Sequence, residues 1–570
     1  MFWQATTSYE FGPFHVDARE RRLLRNGEVV PLRPKVFDIL LVLVQNSGHI
    51  LSKDDVMKLV WPNTAVEEGN IARNVSTLRK ALGESPHTRQ YVETVPWRGY
   101  RFVANVREVR EQSARRALNS VAVLPLVNAN DDPHTEYLSD GITDSLISSL
   151  SQLTRLKVMS RNSVFRFKVK DATDPPDAQR VGQELGVQAV LTGRVGRRDD
   201  DLFISIELVD ARDNSHIWGA QYGRRLADIF TLQETIAHEI AENLRLHLTG
   251  EEQQRLRKRY TENSAAYENY LKGRYYFNKL TPDGVQKGIE YFGQAIEQDQ
   301  NYALAYTGLG DCYNYLAKSK EAREAFEQAL KLDQTQGEAH ASLGFYKFLY
   351  NWDWVGAEKE FQQAIDLKPN YAEAHHWYAV YLANLGRHDE ALREAERARE
   401  LDPLSLLMNM TPGLTSYLAR RYDEAIEAFR KVVEMEPTFM AARSMLGHAY
   451  EQKGRYERAI AEYETVLDIF GEDADVKASV KALLARAYAG WGKRAEAMKL
   501  VEEIETEHPA TSYLMAHVYA ALGEKERAFA HLDKAFAERH VHLVSVKVDP
   551  ALDGLREDPR FADFVQRVGL

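Results

Sequence analysis

Cysteine is nearly absent: the 570 residues contain one, Cys312, so no disulfide framework staples this fold. Nowhere is there an uninterrupted apolar stretch of the ~20 residues needed to cross a bilayer. The N-terminus, MFWQATTSYEFGPF, lacks the basic segment and apolar run of a signal peptide. These absences predict a soluble, cytoplasmic chain with no membrane partner. Signatures of catalysis are equally scarce. There is no Gly-x-x-x-x-Gly-Lys-Ser/Thr phosphate loop, and Gly308-Leu309-Gly310 lacks a third glycine. His238-Glu239 lacks the second histidine of a zinc helix, and the adjacent His375 and His376 point to different faces of a helix. No cofactor, metal or catalytic residue set is expected. Asp140 and Asp144 form a small-ligand site together with the strand ends on one reading. On the other they merely suit the dipole of a first helical turn.

What is present begins with charge. The formal net charge is −11, which excludes a chain that coats nucleic acid along its length. Residues 1–104 nevertheless carry 14 Lys/Arg against 11 Asp/Glu, so the deficit lies in the acidic remainder. A slightly basic head on an acidic body permits local contact with DNA.

Three textures follow one another. Residues 1–106 mix short strands with helices. Residues 107–117 (REVREQSARRA) are charged and read as a linker. Residues 118–255 alternate strand-like and helical runs, including a hairpin of 189–195 with 202–208 and a long helix expected over 229–248. Residues 264–540 read as helix throughout, and 541–570 as a C-terminal tail or cap. In the helical region Gln300, Gln334, Pro369, Pro403 and Pro437 mark equivalent helix ends, spaced 34, 35, 34 and 34 residues apart. One helix of each unit carries small residues. The next carries patterns such as Ala322/Phe326/Ala329 and Ala425/Phe429/Val432. Small residues let helices approach, and the aromatic fills the gap between neighbouring pairs. Period and pattern resemble the tetratricopeptide repeat, with about eight helix pairs expected and a surface for a protein or peptide partner. Trp352 and Trp354, at one irregular turn, are either a ligand contact or, the reading preferred here, a wedge of that turn against the stack.

The head is the most informative segment. Arg25-Asn26-Gly27-Glu28 signals a hairpin. Pro34 opens an apolar helix, and Ser52 with an acid at Asp55 caps another that runs to Trp61. A helix from about Glu68 to Leu82 follows. Thr94-Val95 and Gly99-Tyr100-Arg101-Phe102 flank a basic hairpin tip. The runs Asn70-Ile71-x-x-x-Val75-x-x-Leu78-Arg79-Lys80-Ala81-Leu82 and Thr94-Val95-x-x-x-Gly99-Tyr100-Arg101-Phe102 resemble the winged-helix effector domain of OmpR/PhoB-type regulators, over about 95 residues. The middle region resembles the TolB N-terminal-like (FlgO-like) α/β domain. The order of parts is similar to that of HilA-like regulators; no receiver domain precedes the winged helix, and the membrane helix of CadC/ToxR-like relatives is not seen.

The physics of the helix agrees with the resemblance. Ile71, Val75, Leu78 and Leu82 share one face, which packs inward. Asn70, Arg73, Ser76, Thr77 and Lys80 occupy the other and suit a major groove. The Arg73 fork matches guanine O6 and N7, while Asn70 and Thr77 are placed to touch base edges. Asn74, Arg79 and Lys80 lie nearer the flanks and are expected at phosphates. The resemblance further implies that Arg98 and Arg101 of the wing meet the adjacent minor groove or backbone. It also implies that the loop Trp61, Pro62, Asn63, Thr64, Ala65, Val66 faces RNA polymerase. The few arginines on the helix call for two or more copies on tandem sites.

The expected architecture is therefore multidomain, α+β and all-α: winged helix-turn-helix, α/β domain, tetratricopeptide α-solenoid. The expected function is a one-component regulator of transcription that binds double-stranded DNA. Two alternatives stand beside it. One is a tetratricopeptide scaffold whose main work is protein assembly. The other is an enzyme whose middle domain binds a nucleotide, against which the missing phosphate loop counts.

Overall fold

Hydrophobic alternation and capped helices shape the first hundred residues. The computed structural model describes residues 7–17, 21–25, 28–61, 68–84, 90–110, 118–129, 135–169, 176–246, 248–316, 318–507 and 512–570. The chain divides into two units, Met1–Arg116 and Ala117–Leu570.

In the first unit, β1 (Thr7–Phe11), β2 (Phe14–Asp17), β3 (Arg22–Arg25) and β4 (Glu28–Val30) precede α1 (Pro34–Gln45). The expected turn residues Asn26 and Gly27 lie outside the described residues, but the strands on either side pair, Arg25 opposite Glu28. Next come β5 (Ile50–Leu51), α2 (Lys53–Val60), α3 (Glu68–Ala81), β6 (Val92–Val95), β7 (Gly99–Phe102) and β8 (Arg107–Arg110). Ser52 caps α2 through a box in which its side chain accepts from Asp55 N and Asp55 answers the Ser52 backbone. One sheet runs β4-β3-β2-β1-β8 and the other β5-β7-β6. α1 is apolar nearly all round and buries eight side chains between Val36 and Val44.

Strand β8 corrects the expected linker. Arg107–Arg110 pair antiparallel with β1, Glu108 opposite Tyr9, so the first sheet extends past residue 106. Their charge misled because pairing at the edge of a sheet needs only backbone donors and acceptors.

The second unit opens with β9 (Ser120–Val123), β10 (Val127–Asn128), α4 (Glu136–Leu150), β11 (Lys157–Val158), α5 (Arg161–Val164) and α6 (Ala178–Leu185). It continues through β12 (Ala189–Arg198), β13 (Asp201–Asp210), β14 (Ser215–Arg225), α7 (Ile229–Asn243) and α8 (Gly250–Leu256). The sheet order is β11-β9-β12-β13-β14, with β10 beside β12. β9 is buried at every position, as its run Ser-Val-Ala-Val inside a parallel segment requires. α7 stops at Asn243, short of the helix expected to 248. Arg245 adopts a left-handed φ of 59°, and Thr249 then caps the separate helix α8.

Eight helix pairs follow among the described residues, over 264–298, 303–332, 337–367, 372–401, 406–435, 440–470, 474–507 and 512–537. The packing rule read from the repeat pattern is visible in its glycines. A Cβ on Gly308 would stand 2.5 Å from Phe292, and one on Gly447 2.4 Å from Tyr463. Each aromatic thus fills the space that a missing side chain leaves on the facing helix.

The α/β layer docks onto this array through the repeat turns. Asn370 Nδ2 donates to the carbonyls of Leu153 (3.0 Å) and Leu156 (2.7 Å). Asp402 accepts from Ser163 Oγ at 2.5 Å. Tyr137 donates to Glu268 (2.6 Å), and Gly141 of α4 leaves room for Leu271. At its far end the array is closed by residues 541–570. The Trp352 ring lies 5.5 Å from Phe536 and Gly569 lies against Trp354, so both tryptophans wedge the turn as expected. Val544 and Val548 join the same apolar cluster as Phe348, and Arg420 pairs with Asp553 at 2.6 Å. No helix among the described residues is long and apolar enough to cross a membrane.

Candidate nucleic-acid interface

Helix α3 divides cleanly. Ile71, Val75, Leu78 and Leu82 are each at most 2% exposed, and they anchor the helix on the domain core. Asn70, Arg73, Ser76, Thr77 and Lys80 are exposed. Among the described residues neither Arg73 nor Lys80 is held by a carboxylate. Thr77 Oγ1 donates to the Arg73 carbonyl at 3.0 Å, and Asn74, half-buried, donates to the Asn70 carbonyl at 2.8 Å. The outward face therefore offers two free cations and short polar groups, with no bulk to bar a groove.

Arg79 departs from expectation. Its Nε and Nη2 donate to the Val92 carbonyl at 3.1 and 2.9 Å, and Nη2 also donates to Thr94 Oγ1 at 2.7 Å. Glu84, just past α3, accepts from the Val92 N–H at 3.0 Å and lies 3.7 Å from Arg79. Arg79 thus ties the helix to β6, which corrects its assignment to phosphate. The helix wheel alone does not reveal this, because the partners sit 13 and 15 residues downstream. Arg79→Ala is expected to destabilise the first unit by ~1–3 kcal/mol, since it leaves a buried carbonyl unpaired. The salt dependence of DNA affinity should stay unchanged. A slope lowered by about one in fluorescence-anisotropy titrations would return Arg79 to the phosphate set.

The wing is β6 and β7 joined by Pro96-Trp97-Arg98. Val95 to Arg98 form a turn closed by the Arg98 N–H on the Val95 carbonyl at 3.0 Å. Pro96 takes the position where its fixed φ fits. Trp97 follows at φ 66° and is completely exposed. A bulky residue held in left-handed backbone and displayed to solvent is costly, and such strain gathers at functional sites. Sequence reasoning missed Trp97; the signal was an aromatic where the turn prefers glycine or asparagine. Arg98 is exposed beside it. Arg101 lies directly opposite Glu93 in the register and donates to it through Nε (3.0 Å) and Nη2 (2.6 Å). Its charge is thus shared with a carboxylate; among the described residues that of Arg98 is not.

The remaining sequence-picked residues are quickly placed. Trp61 is half-buried, with Lys35 Nζ 5.6 Å from its ring centre. Pro62, Asn63, Thr64, Ala65 and Val66 lie outside the described residues. Asp140 is held by Lys168 (2.6 Å) and Asp144 by Arg161 (2.8 Å). His375 and His376 are both buried, engaged by Glu394 and Thr411 respectively. Among the described residues no group of His, Cys, Asp and Glu is arranged to hold a metal ion.

Comparison with known proteins adds to this geometry. Residues 27–102 match the family described as transcriptional regulatory protein, C terminal. Residues 117–239, likened above to a TolB N-terminal-like domain, match the HilA/YgeH-like transcriptional regulator, second domain. Tetratricopeptide-repeat models match 303–336, 360–393 and 417–487. Transcriptional regulator HilA of Salmonella typhimurium is 24% identical over 404 residues, 68% of this chain and 70% of that protein. Transcriptional activator CadC of Escherichia coli is 31% identical over 125 residues, 21% of this chain and 24% of its own. A protein named putative adenylate cyclase 3, from Rhizobium meliloti, is 32% identical over 281 residues, 48% of this chain but only 41% of its own length. In order along the chain stand an OmpR/PhoB-type winged helix, a HilA-like second domain and a tetratricopeptide array, which is the domain set of a DNA-binding transcription regulator.

Proposed function

We propose that the protein acts as a one-component transcription regulator: α3 enters the major groove of double-stranded DNA, and the second unit receives the signal. The observation that carries this reading is the division of α3, whose apolar face is fully buried while its polar face stands free beside an exposed wing. Arg73 reads a base edge, with Asn70, Ser76 and Thr77 at neighbouring positions, and Lys80 meets phosphate. Arg98 and Trp97 reach the adjacent minor groove or backbone, and Arg101, already paired with Glu93, plays the smaller part. The loop from Trp61 to Val66 faces RNA polymerase. The protein works in the cytoplasm, without catalysis, as a homodimer on tandem sites, and the repeat array takes a protein or peptide partner.

Arg73→Ala is expected to weaken specific binding by ~1–3 kcal/mol and to relax preference at one base pair. Unchanged affinity and preference would remove Arg73 from the base-reading set. The direct test is genome-wide occupancy of the intact protein against the Arg73→Ala, Arg98→Ala double variant. Discrete peaks that share a repeated motif and vanish in the variant support the regulator. No peaks under several growth conditions would favour the scaffold.

A further inference from the structure

The sheet of the second unit has two unequal edges. At one stands β11, two residues long, and at the other β14, eleven residues long. None of the eleven is buried. Among the described residues the main chain of 216–225 has no backbone partner other than β13, and one side-chain partner, Arg224 Nη1 on the Gly223 carbonyl at 3.0 Å. A row of backbone donors and acceptors is therefore open along β14.

Long edges normally carry a defence against pairing, such as a proline, a lysine or an inward charge. The run from Ile217 to Gly223 (IWGAQYG) carries none. A bulge at Ile217, between the pairs Leu208–Trp218 and Val209–His216, disturbs only the start of the strand. The core side of the run is aromatic. Trp218 stands opposite Leu208 and Tyr222 opposite Ile204. Both rings pack on the apolar core of the layer and both stay half-buried, with no strand beyond β14 to cover them.

The edge is complementary to itself. An antiparallel second copy centred on Ala220 sets Trp218 opposite the partner's Tyr222, and Tyr222 opposite the partner's Trp218. Each is an aromatic cross-strand pair with Cβ atoms about 5 Å apart. Gly219 meets Gln221, and Ile217 meets Gly223. Arg224 and Arg225 of the two chains fall at opposite ends of the joint, so like charges do not meet. A twofold axis perpendicular to the sheet keeps both core faces on one side, and the aromatic layer then runs on from one chain into the other.

We infer that β14 pairs antiparallel with β14 of a second copy of this chain, which joins two second units into one continuous sheet with Ala220 on the axis. This gives the homodimer of the proposed function its contact surface. It rests on that reading for its use, while its geometry stands on the second unit alone.

The test uses the full chain. Sedimentation velocity at about 10 µM is expected to return the mass of two chains. Ala220→Cys sets two thiols across the axis at a Cα spacing of about 5 Å, which a disulfide spans. The one native cysteine, Cys312, is buried. Mild oxidation should cross-link this variant at least about tenfold faster than Phe203→Cys, an exposed position one strand inward. The double change Gln221→Lys, Gly223→Lys charges the edge at two exposed positions and should weaken the dimer about tenfold or more. Arg73→Ala separates the two readings, since it should keep the dimer while it loses DNA specificity. The inference is overturned by a monomer in sedimentation velocity, by cross-linking of Ala220→Cys no faster than that of Phe203→Cys, or by a charged variant that dimerises like the parent.

Discussion

Replacing Arg486 by methionine is expected to destabilise the repeat array by ~3–5 kcal/mol, the usual cost of breaking a buried ion pair from one side. Arg486 and Glu451 are 5% and 8% exposed. Two parallel bonds join them, Nε to Oε2 at 3.0 Å and Nη2 to Oε1 at 2.9 Å. Tyr463 completes the group, donating to Glu451 at 2.5 Å and accepting from Arg486 at 3.2 Å. Glu451 and Tyr463 belong to the sixth helix pair and Arg486 to the seventh, so the cluster fastens one repeat to the next. Methionine fills much of the volume but strands the carboxylate. The double change Arg486→Met, Glu451→Gln should recover most of the loss, because it is the orphaned charge that is expensive. Loss of the exposed pair Lys431–Glu427 should be undetectable by comparison. Denaturant unfolding of the three variants decides the matter; equal stability of Arg486→Met and the parent would show that the pair contributes nothing.

Gly99→Ala is expected to disrupt the wing, at ~3–5 kcal/mol, and to abolish specific DNA binding with it. Gly99 has φ 130°, which side-chain-bearing residues rarely adopt, and a Cβ there would stand 2.0 Å from the Leu51 carbonyl oxygen. The obstacle is backbone, so no rotamer change relieves it. β7 must part from β5, where Leu51 faces Tyr100. Gly48→Ala provides the scale: φ is 81°, nothing lies within 4 Å, and only the backbone term of ~1 kcal/mol remains. Hydrogen exchange followed peptide by peptide should show the loss confined to the first unit. Native protection of Tyr100–Phe102 in Gly99→Ala would refute the account.

Legibility in the sequence followed the range of the interaction. The inward face of α3 and the start of α2 at Ser52 depend on residues within a few positions, and both stand where the pattern put them. The aromatic-on-glycine packing of the repeats also recurs locally, so it could be read from spacing. Arg79 and Arg101 could not be judged this way. A helix wheel for Arg79, or strand alternation for Arg101, shows an arginine pointing outward but not the carbonyl or carboxylate that a neighbouring strand presents to it. β8 escaped because charge argues against burial, not against an edge.

The contact of residues 541–570 with the third to fifth helix pairs has a consequence for how the chain is made. An open solenoid has nearest-neighbour contacts only, so each repeat can settle as soon as the next has been synthesised. Here Val544, Val548 and Asp553 supply part of the packing around Phe348 and Arg420, far upstream. Those earlier repeats leave the ribosome with a patch of their surface still uncovered, and it stays uncovered until residues 541–570 have been made. Closure of those repeats therefore waits on residues 541–570. A chain arrested before residue 541 would expose apolar surface around Phe348, far from its broken tip, as well as at the tip itself.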